Sequence, residues 1–177
     1  MEYCAHISDD GRRQTVAEHL TGTAALCRAF AGAFGAEAEG ELMGLAHDIG
    51  KCTDSFQKRL LEDGPIVDHA TAGAVACAQL LRTCAAACVA GHHSGLSDLG
   101  NPRTDRAGDA TLYGRLKKGL EDRYLDRCGE SGAPLPQIPP ETPERDLWKL
   151  SFRTRMLYSC LVDADFLDTE RFMNGER

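Results

Sequence analysis

Five of the six histidines in this 177-residue chain stand in contexts that can share one site. They are His19 in Ala17-Glu18-His19-Leu20, His47 in Gly44-Leu45-Ala46-His47-Asp48-Ile49-Gly50-Lys51, His69 beside Asp68, and the doublet His92-His93. Asp48 and the late carboxylate Asp165 complete the set. Imidazole and carboxylate together suit borderline to hard divalent metals, and the set is larger than the four ligands of a structural zinc. The chemistry it points to is metal-assisted catalysis with two ions. His47 and Asp48 are adjacent, so on a helix their side chains leave about 100° apart, and the carboxylate can bridge two cations while the imidazole binds one. Gly91 and Gly95 permit a tight backbone that turns both His92 and His93 to one side. Each piece alone has a plainer reading: a hydrogen-bonded His-Asp pair, a surface doublet, a capping His69, an Asp165 paired with an arginine. His6 has no clear place and reads as a structural or surface residue.

The elements that must position these groups read as helices. Apolar residues recur at three- and four-residue steps from Thr15 to Phe34, and again more briefly from Glu39 to Asp48, where Gly50 supplies the stop. The His47-Asp48 dyad then lies on a last turn. A short helix is expected over Phe56 to Leu61, a turn at Asp63-Gly64-Pro65, and one long small-residue helix from Asp68 to about Ala90, opening near His69 and broken by Gly91 to Gly95. Residues 95–111 and 129–143 are rich in Gly, Pro, Ser and Asp and read as loop, flanking a helix from Leu112 to Leu125.

From Asp146 onward Leu147, Leu150, Thr154, Leu157, Tyr158, Leu161, Asp165 and Asp168 fall within about 60° on a helical wheel. Asp163 points away from that stripe, so Asp165 is the inward carboxylate, and an inward carboxylate needs a partner such as a metal. No segment alternates convincingly as a strand and no repeat is visible. The expectation is an all-α single globular domain over 1–177, a helical bundle with an irregular insertion around 95–143.

Composition narrows the function. A net charge of −7 is a poor footprint for a protein that binds nucleic acid unaided. Two segments are locally basic: 103–127 with Arg103, Arg106, Arg115, Lys117, Lys118, Arg123 and Arg127, and 145–155 with Arg145, Lys149, Arg153 and Arg155. Acidic neighbours such as Asp105, Glu121, Asp122 and Asp126 make solvated helix faces the plainer reading. The eight cysteines show no CxxC pair and read as reduced. Cys77, Cys84 and Cys88 share one helical face and read as core packing. With neither a long apolar run nor a secretory start, the expectation is a soluble, cytoplasmic protein.

Taken in order, His19, His47-Asp48, His69, His92-His93 and Asp165 resemble the HD superfamily of metal-dependent phosphohydrolases. The surrounding words sharpen this: Ala5-His6-Ile7-Ser8, Gln14 to Leu20, Gly44 to Lys51, Phe56-Gln57, Asp68 to Ala74, Gly91 to Leu96 and Ser159 to Glu170. Together they look like the HD nuclease domain of the CRISPR-associated nuclease-helicase of type I systems. The likeness spans nearly the whole chain and is weakest across 97–145.

That resemblance implies an all-helical, metal-dependent nuclease that degrades single-stranded DNA delivered by a superfamily 2 helicase, working with an RNA-guided surveillance complex. It implies that His19, His47, Asp48 and Asp165 hold one metal and Asp48, His69, His92 and His93 the second. It also implies that Lys51 contacts the scissile phosphate; the plainer reading is a surface lysine at a helix C-terminus. The metals would generate hydroxide at neutral pH, and a nitrogen-rich set favours manganese, nickel, cobalt or iron over magnesium. The chain contains no P-loop and no helicase motif, so a stand-alone nuclease subunit or one domain of a larger assembly is expected. Two rivals remain: a phosphohydrolase of nucleotides or cyclic nucleotides, and an inactive module that binds a helicase or surveillance complex.

Overall fold

The computed structural model describes residues 3–120, 124–130, 132, 138, 144 and 146–175. Among them the chain forms eight α-helices and one two-stranded hairpin, in keeping with an all-α HD-type bundle. The hairpin pairs β1 (Cys4–Ile7) with β2 (Arg13–Thr15) antiparallel, His6 opposite Gln14. Strands of four and three residues are too short to alternate visibly, which is why the sequence reading passed over them. Both amide atoms of Gln57 hold the hairpin in place: Cys4 N–H donates to Oε1, and Nε2 donates to the carbonyls of Cys4 and Lys51.

Helix α1 (Val16–Gly32) starts where a capping box places it: the Thr15 hydroxyl accepts from Glu18 N–H, and the Glu18 carboxylate accepts from Thr15 N–H. Helix α2 (Glu37–Ala46) lies against α1 through glycine. A Cβ at Gly44 would collide with the backbone of Ala24, so only glycine allows this approach. Then come a 3₁₀ turn (Ile49–Cys52), α3 (Asp54–Glu62), α4 (Ala70–Gln79) and α5 (Thr83–Gly91).

The single long helix expected over 68–90 is two helices. Leu81 adopts the left-handed conformation at φ 58°, while Arg82 N–H bonds Cys77 O and Leu81 N–H bonds Ala78 O, a Schellman-type stop. Leucine sits where glycine is usual, so no sequence signal marked the break. Arg82 beyond it is buried, with Nη1 donating to Glu39 Oε1 at 3.0 Å and so tying α5 to α2. Arg153 of α8 reaches the same oxygen at 3.3 Å.

The helix expected over 112–125 is also divided, into α6 (Leu112–Leu116) and α7 (Tyr124–Glu130), the chain leaving the helix just before Gly119. Arg123, Glu121, Asp122, Arg145 and most of 131–143 lie outside the described residues. Helix α8 (Leu147–Asn174) runs 28 residues from an Asp146 N-cap. The core lies between α1, α2, α5 and α8, where Leu42, Met43, Val89, Leu157 and Leu161 meet. Cys27, Cys77, Cys84, Cys88 and Cys160 belong to the same core, none of them in a disulfide, acting as small apolar residues. The amino end of the α8 stripe is not covered: Leu147 is exposed. No helix among the described residues is long and apolar enough to cross a membrane.

Gly44→Ala should lower stability by about 1–3 kcal/mol through overpacking against α1, read as a fall in the urea midpoint at unchanged m-value.

Candidate metal centre

Each ligand side chain arrives from a different element. His19 comes from the second turn of α1, His47 caps the C-terminus of α2, and Asp48 leads into the 3₁₀ turn. His69 caps the start of α4, His92 and His93 follow α5, and Asp165 projects from α8. Gly50 lets the turn after Asp48 press against the backbone of His69, where a Cβ would clash.

Two groups of ligand atoms form around Asp48. Asp48, His19, His47 and Asp165 bring one donor each within 4.8 Å of one another, and so do Asp48, His69, His92 and His93. In the first, His19 Nε2 and His47 Nε2 are 3.1 Å apart. Asp48 Oδ2 and Asp165 Oδ1 each lie 3.4 Å from His19 Nε2 and 3.5 Å from His47 Nε2. In the second, Asp48 Oδ1 lies 3.3 Å from His92 Nε2 and 3.5 Å from His69 Nε2, which is 2.9 Å from His93 Nε2.

Hydrogen bonds fix which nitrogen faces inward. Nδ1–H of His47 donates to Gly44 O, that of His92 to Val89 O, and that of His69 to Val67 O. His19 Nδ1–H donates to Asp168 Oδ2 at 2.8 Å. Four Nε2 lone pairs are thereby turned toward the Asp48 oxygens. Such an assembly of lone pairs repels itself unless a cation or a proton lies between them.

The spacings suit a metal. Bonds of about 2.1 Å place neighbouring ligand atoms about 3.0 Å apart at octahedral corners and about 3.4 Å at tetrahedral ones. His92 Nε2 is buried with no hydrogen-bond partner, and neither oxygen of the buried Asp48 accepts a hydrogen bond of regular geometry. Lys51 Nζ meets Asp48 Oδ2 at 2.7 Å as an ion pair. The donor types and the orphaned atoms fit a divalent cation in each group.

Electrostatics agree. Burial would push the Asp48 carboxyl up, but Lys51, His47, His19 and His92 outweigh it and hold the group well below the usual carboxylate range. Burial likewise opposes charge on His19, yet Asp165, Asp168 and Asp48 raise its imidazole to about 10. Asp165 is lowered by His19 and His47 against its own burial. Burial, then His92, lowers His93 to about 4, and burial lowers His69.

Lys51 is not a surface lysine. It is 4 % exposed, and besides Asp48 its ammonium donates to His6 Nε2 at 2.8 Å. His6 is accordingly part of the site's support rather than an unattached residue. Its Nδ1–H donates to Gln14 Oε1 at 2.8 Å, and burial, with Lys51 and His19 beside it, lowers its imidazole to about 4. Gln14 Nε2 donates in turn to Asp168 Oδ2.

The sequence reading did not single out Gln14 or Asp168 as site residues. Asp168 lay on the inward stripe of α8, three residues beyond Asp165, and that position was the available signal. Asp163 is exposed, as the wheel required. In the first basic segment Arg115 and Lys118 are not merely solvated. Arg115 donates to Thr71 Oγ1, to Ala90 O and to Asp68 Oδ1, and Lys118 pairs with Asp68 at 3.0 Å, bracing the start of α4 beside His69.

The HD domain family model matches residues 16–127, more than half of the chain, and the chain belongs to that family. No curated protein matches it. HD domains are metal-dependent hydrolases, and the clustered histidines and aspartates supply the ligands that class requires. Asp165, Asp168, His6 and Gln14 all lie outside the matched stretch.

Asp168 orients His19 as a carboxylate behind a metal-binding imidazole does, so Asp168→Ala should weaken divalent-metal binding about 10- to 100-fold by calorimetry, while the exposed Asp163→Ala leaves it unchanged. With its imidazole at about 10, metal-free His19 carries a proton at neutral pH that a bound metal must displace. Affinity should therefore rise from pH 6 to 8 with proton release, visible as a dependence of the binding heat on buffer ionisation enthalpy.

Proposed function

We propose that the chain hydrolyses phosphodiester bonds of single-stranded DNA with two divalent metal ions, as the nuclease of type I CRISPR interference. The observation that carries this reading is the shared carboxylate: Asp48 turns Oδ2 to one ligand group and Oδ1 to the other. Bridging carboxylates hold cation pairs about 3.5–4 Å apart in phosphodiester-cleaving sites. The words around the ligands, from Ala5-His6-Ile7-Ser8 to Ser159 through Glu170, support the nuclease over other HD hydrolases by their resemblance.

Bound divalent metals would activate water and neutralise the phosphate during in-line displacement. The chain's own residues prepare for this. His19, His47 and Asp165 hold one ion with Asp48, and His69, His92 and His93 hold the other. The fixed Nε2 lone pairs remove the need to reorient rings on binding, and the nitrogen-rich set favours manganese, nickel, cobalt or iron over magnesium. Lys51 steadies Asp48 and adds positive charge next to the ions, where a scissile phosphate would lie.

The partners of this reading are single-stranded DNA, a superfamily 2 helicase domain or subunit that feeds it, and an RNA-guided surveillance complex, all in the cytoplasm. A net charge of −7 supports dependence on such partners, because the chain has no overall basic field to attract DNA.

Labelled single-stranded DNA with manganese provides the test. Wild-type protein should cleave it, and Asp48→Ala should fall to the rate without enzyme. Wild-type-like cleavage by Asp48→Ala overturns the assignment, as does faster turnover of deoxynucleoside triphosphates or cyclic nucleotides than of the strand in parallel assays.

A further inference from the structure

One helix links the metal centre to an unusual surface. Asp165 sits at the edge of the buried face of α8, with Leu157, Leu161 and Ala164 on its inner side. On its outer side, at 100° per residue, Val162, Arg155, Phe166, Trp148 and Phe152 lie about 60–140° round the helix from Asp165. Three of them are aromatic rings that a core would normally take or a partner would cover: Trp148 is 85 % exposed, Phe152 68 % and Phe166 64 %. Trp148 lies about 25 Å from Asp165 along the helix axis.

Charge on this helix is segregated. Residues 147–162 contain Lys149, Arg153 and Arg155 and no acidic residue, whereas Asp163, Asp165, Asp168 and Glu170 crowd the next eight positions. Arg153 pairs with Glu39, but Lys149 and Arg155 are exposed and form no ion pair among the described residues. In a chain of net charge −7, a helix half that carries only cations beside bare aromatic rings is complementary to a strand of phosphates and bases. Base stacking on aromatic side chains with cations along the backbone is how single strands are bound without sequence preference.

We propose that the outer stripe of α8, from Phe166 back to Trp148, is the track on which single-stranded DNA lies as it enters the metal centre. Trp148 and Phe152 stack on bases, and Lys149 and Arg155 neutralise phosphates several nucleotides from the scissile bond. The proposal rests on the single-stranded DNA reading of the site.

Trp148 is the chain's single tryptophan, so its fluorescence reports on the track directly. With metal removed by EDTA, an oligothymidylate of about 15 nucleotides should quench it saturably. Phe152→Ala and Arg155→Ala should each raise the oligonucleotide Kd about fivefold or more. With metal restored, the same variants should raise KM for the strand while leaving turnover of bis(p-nitrophenyl) phosphate, too small to reach the track, unchanged. Emission indifferent to the strand overturns the proposal and leaves the face to a protein partner. Equal quenching by polyphosphate, which has charge but no bases, also overturns it, as does an equal loss on both substrates. Quenching without any DNA cleavage keeps the track and rejects the nuclease; cleavage with a silent Trp148 does the reverse.

Discussion

A carboxylate that is 1 % exposed and still ionised has to be surrounded by charge or hydrogen-bond donors, and Asp48 is that carboxylate. An isolated buried charge costs several kcal/mol, more than most single contacts return. The arrangement of the centre follows from that constraint. Lys51 supplies a fixed cation 2.7 Å away, the imidazoles of His19, His47, His69 and His92 close round the two oxygens, and α1, α2, α4 and α5 must all converge to bring them. Helices packed for stability alone would fill that space with apolar side chains. The glycines at 44 and 50 show the demand at backbone level, since each admits an approach that any side chain would block.

The hairpin acquires its purpose from the same carboxylate. Two short strands add little apolar burial, yet they place His6 opposite Gln14 and so complete a chain of polar contacts with one consistent direction. Asp168 can only accept, so Gln14 must present its amide nitrogen there and its oxygen to His6. His6 must then donate from Nδ1 and accept at Nε2 from Lys51. The polarity set at one end, where Asp168 orients His19, thus reaches Lys51 and Asp48 at the other. A fully satisfied network of this kind holds a buried site in one geometry, whereas a partly satisfied one would loosen it.

Most of this was legible in the sequence where the signal is periodic or chemical. The apolar stripe of the last helix separated Asp165 from Asp163, whereas α2 ends at Ala46, ahead of the stop expected at Gly50, so His47 caps the helix and Asp48 lies just beyond its last turn. Legibility failed where structure is decided by tertiary contact. Leu81 takes a left-handed turn without glycine, and Arg82 just beyond it pairs with Glu39 from α2, a contact no local pattern announces. His6 gave no hint of its place because its partners, Gln14 and Lys51, are brought to it by a hairpin too short to show a period. Asp168 lay on the right face of the helix, but whether an inward carboxylate binds a metal or orients an imidazole depends on what faces it.

The two ligand groups are built with unequal rigidity, and that inequality has a chemical consequence. His19 and Asp165 stand on interior turns of α1 and α8, and His19 and His47 are fully buried. His69 and His93 stand at helix ends, His69 partly exposed and His93 exposed. An ion in the first group would be held mainly by buried side chains, while the second group, through His93, is more open to solvent. Water exchange is therefore easier on the His69 and His93 side, with Asp48 joining the more enclosed group to the more open one. Arg115 and Lys118 brace that open side from the insertion by fixing Asp68 beside His69. A single buried carboxylate thus joins a more rigid, more enclosed half of the centre to a more accessible one.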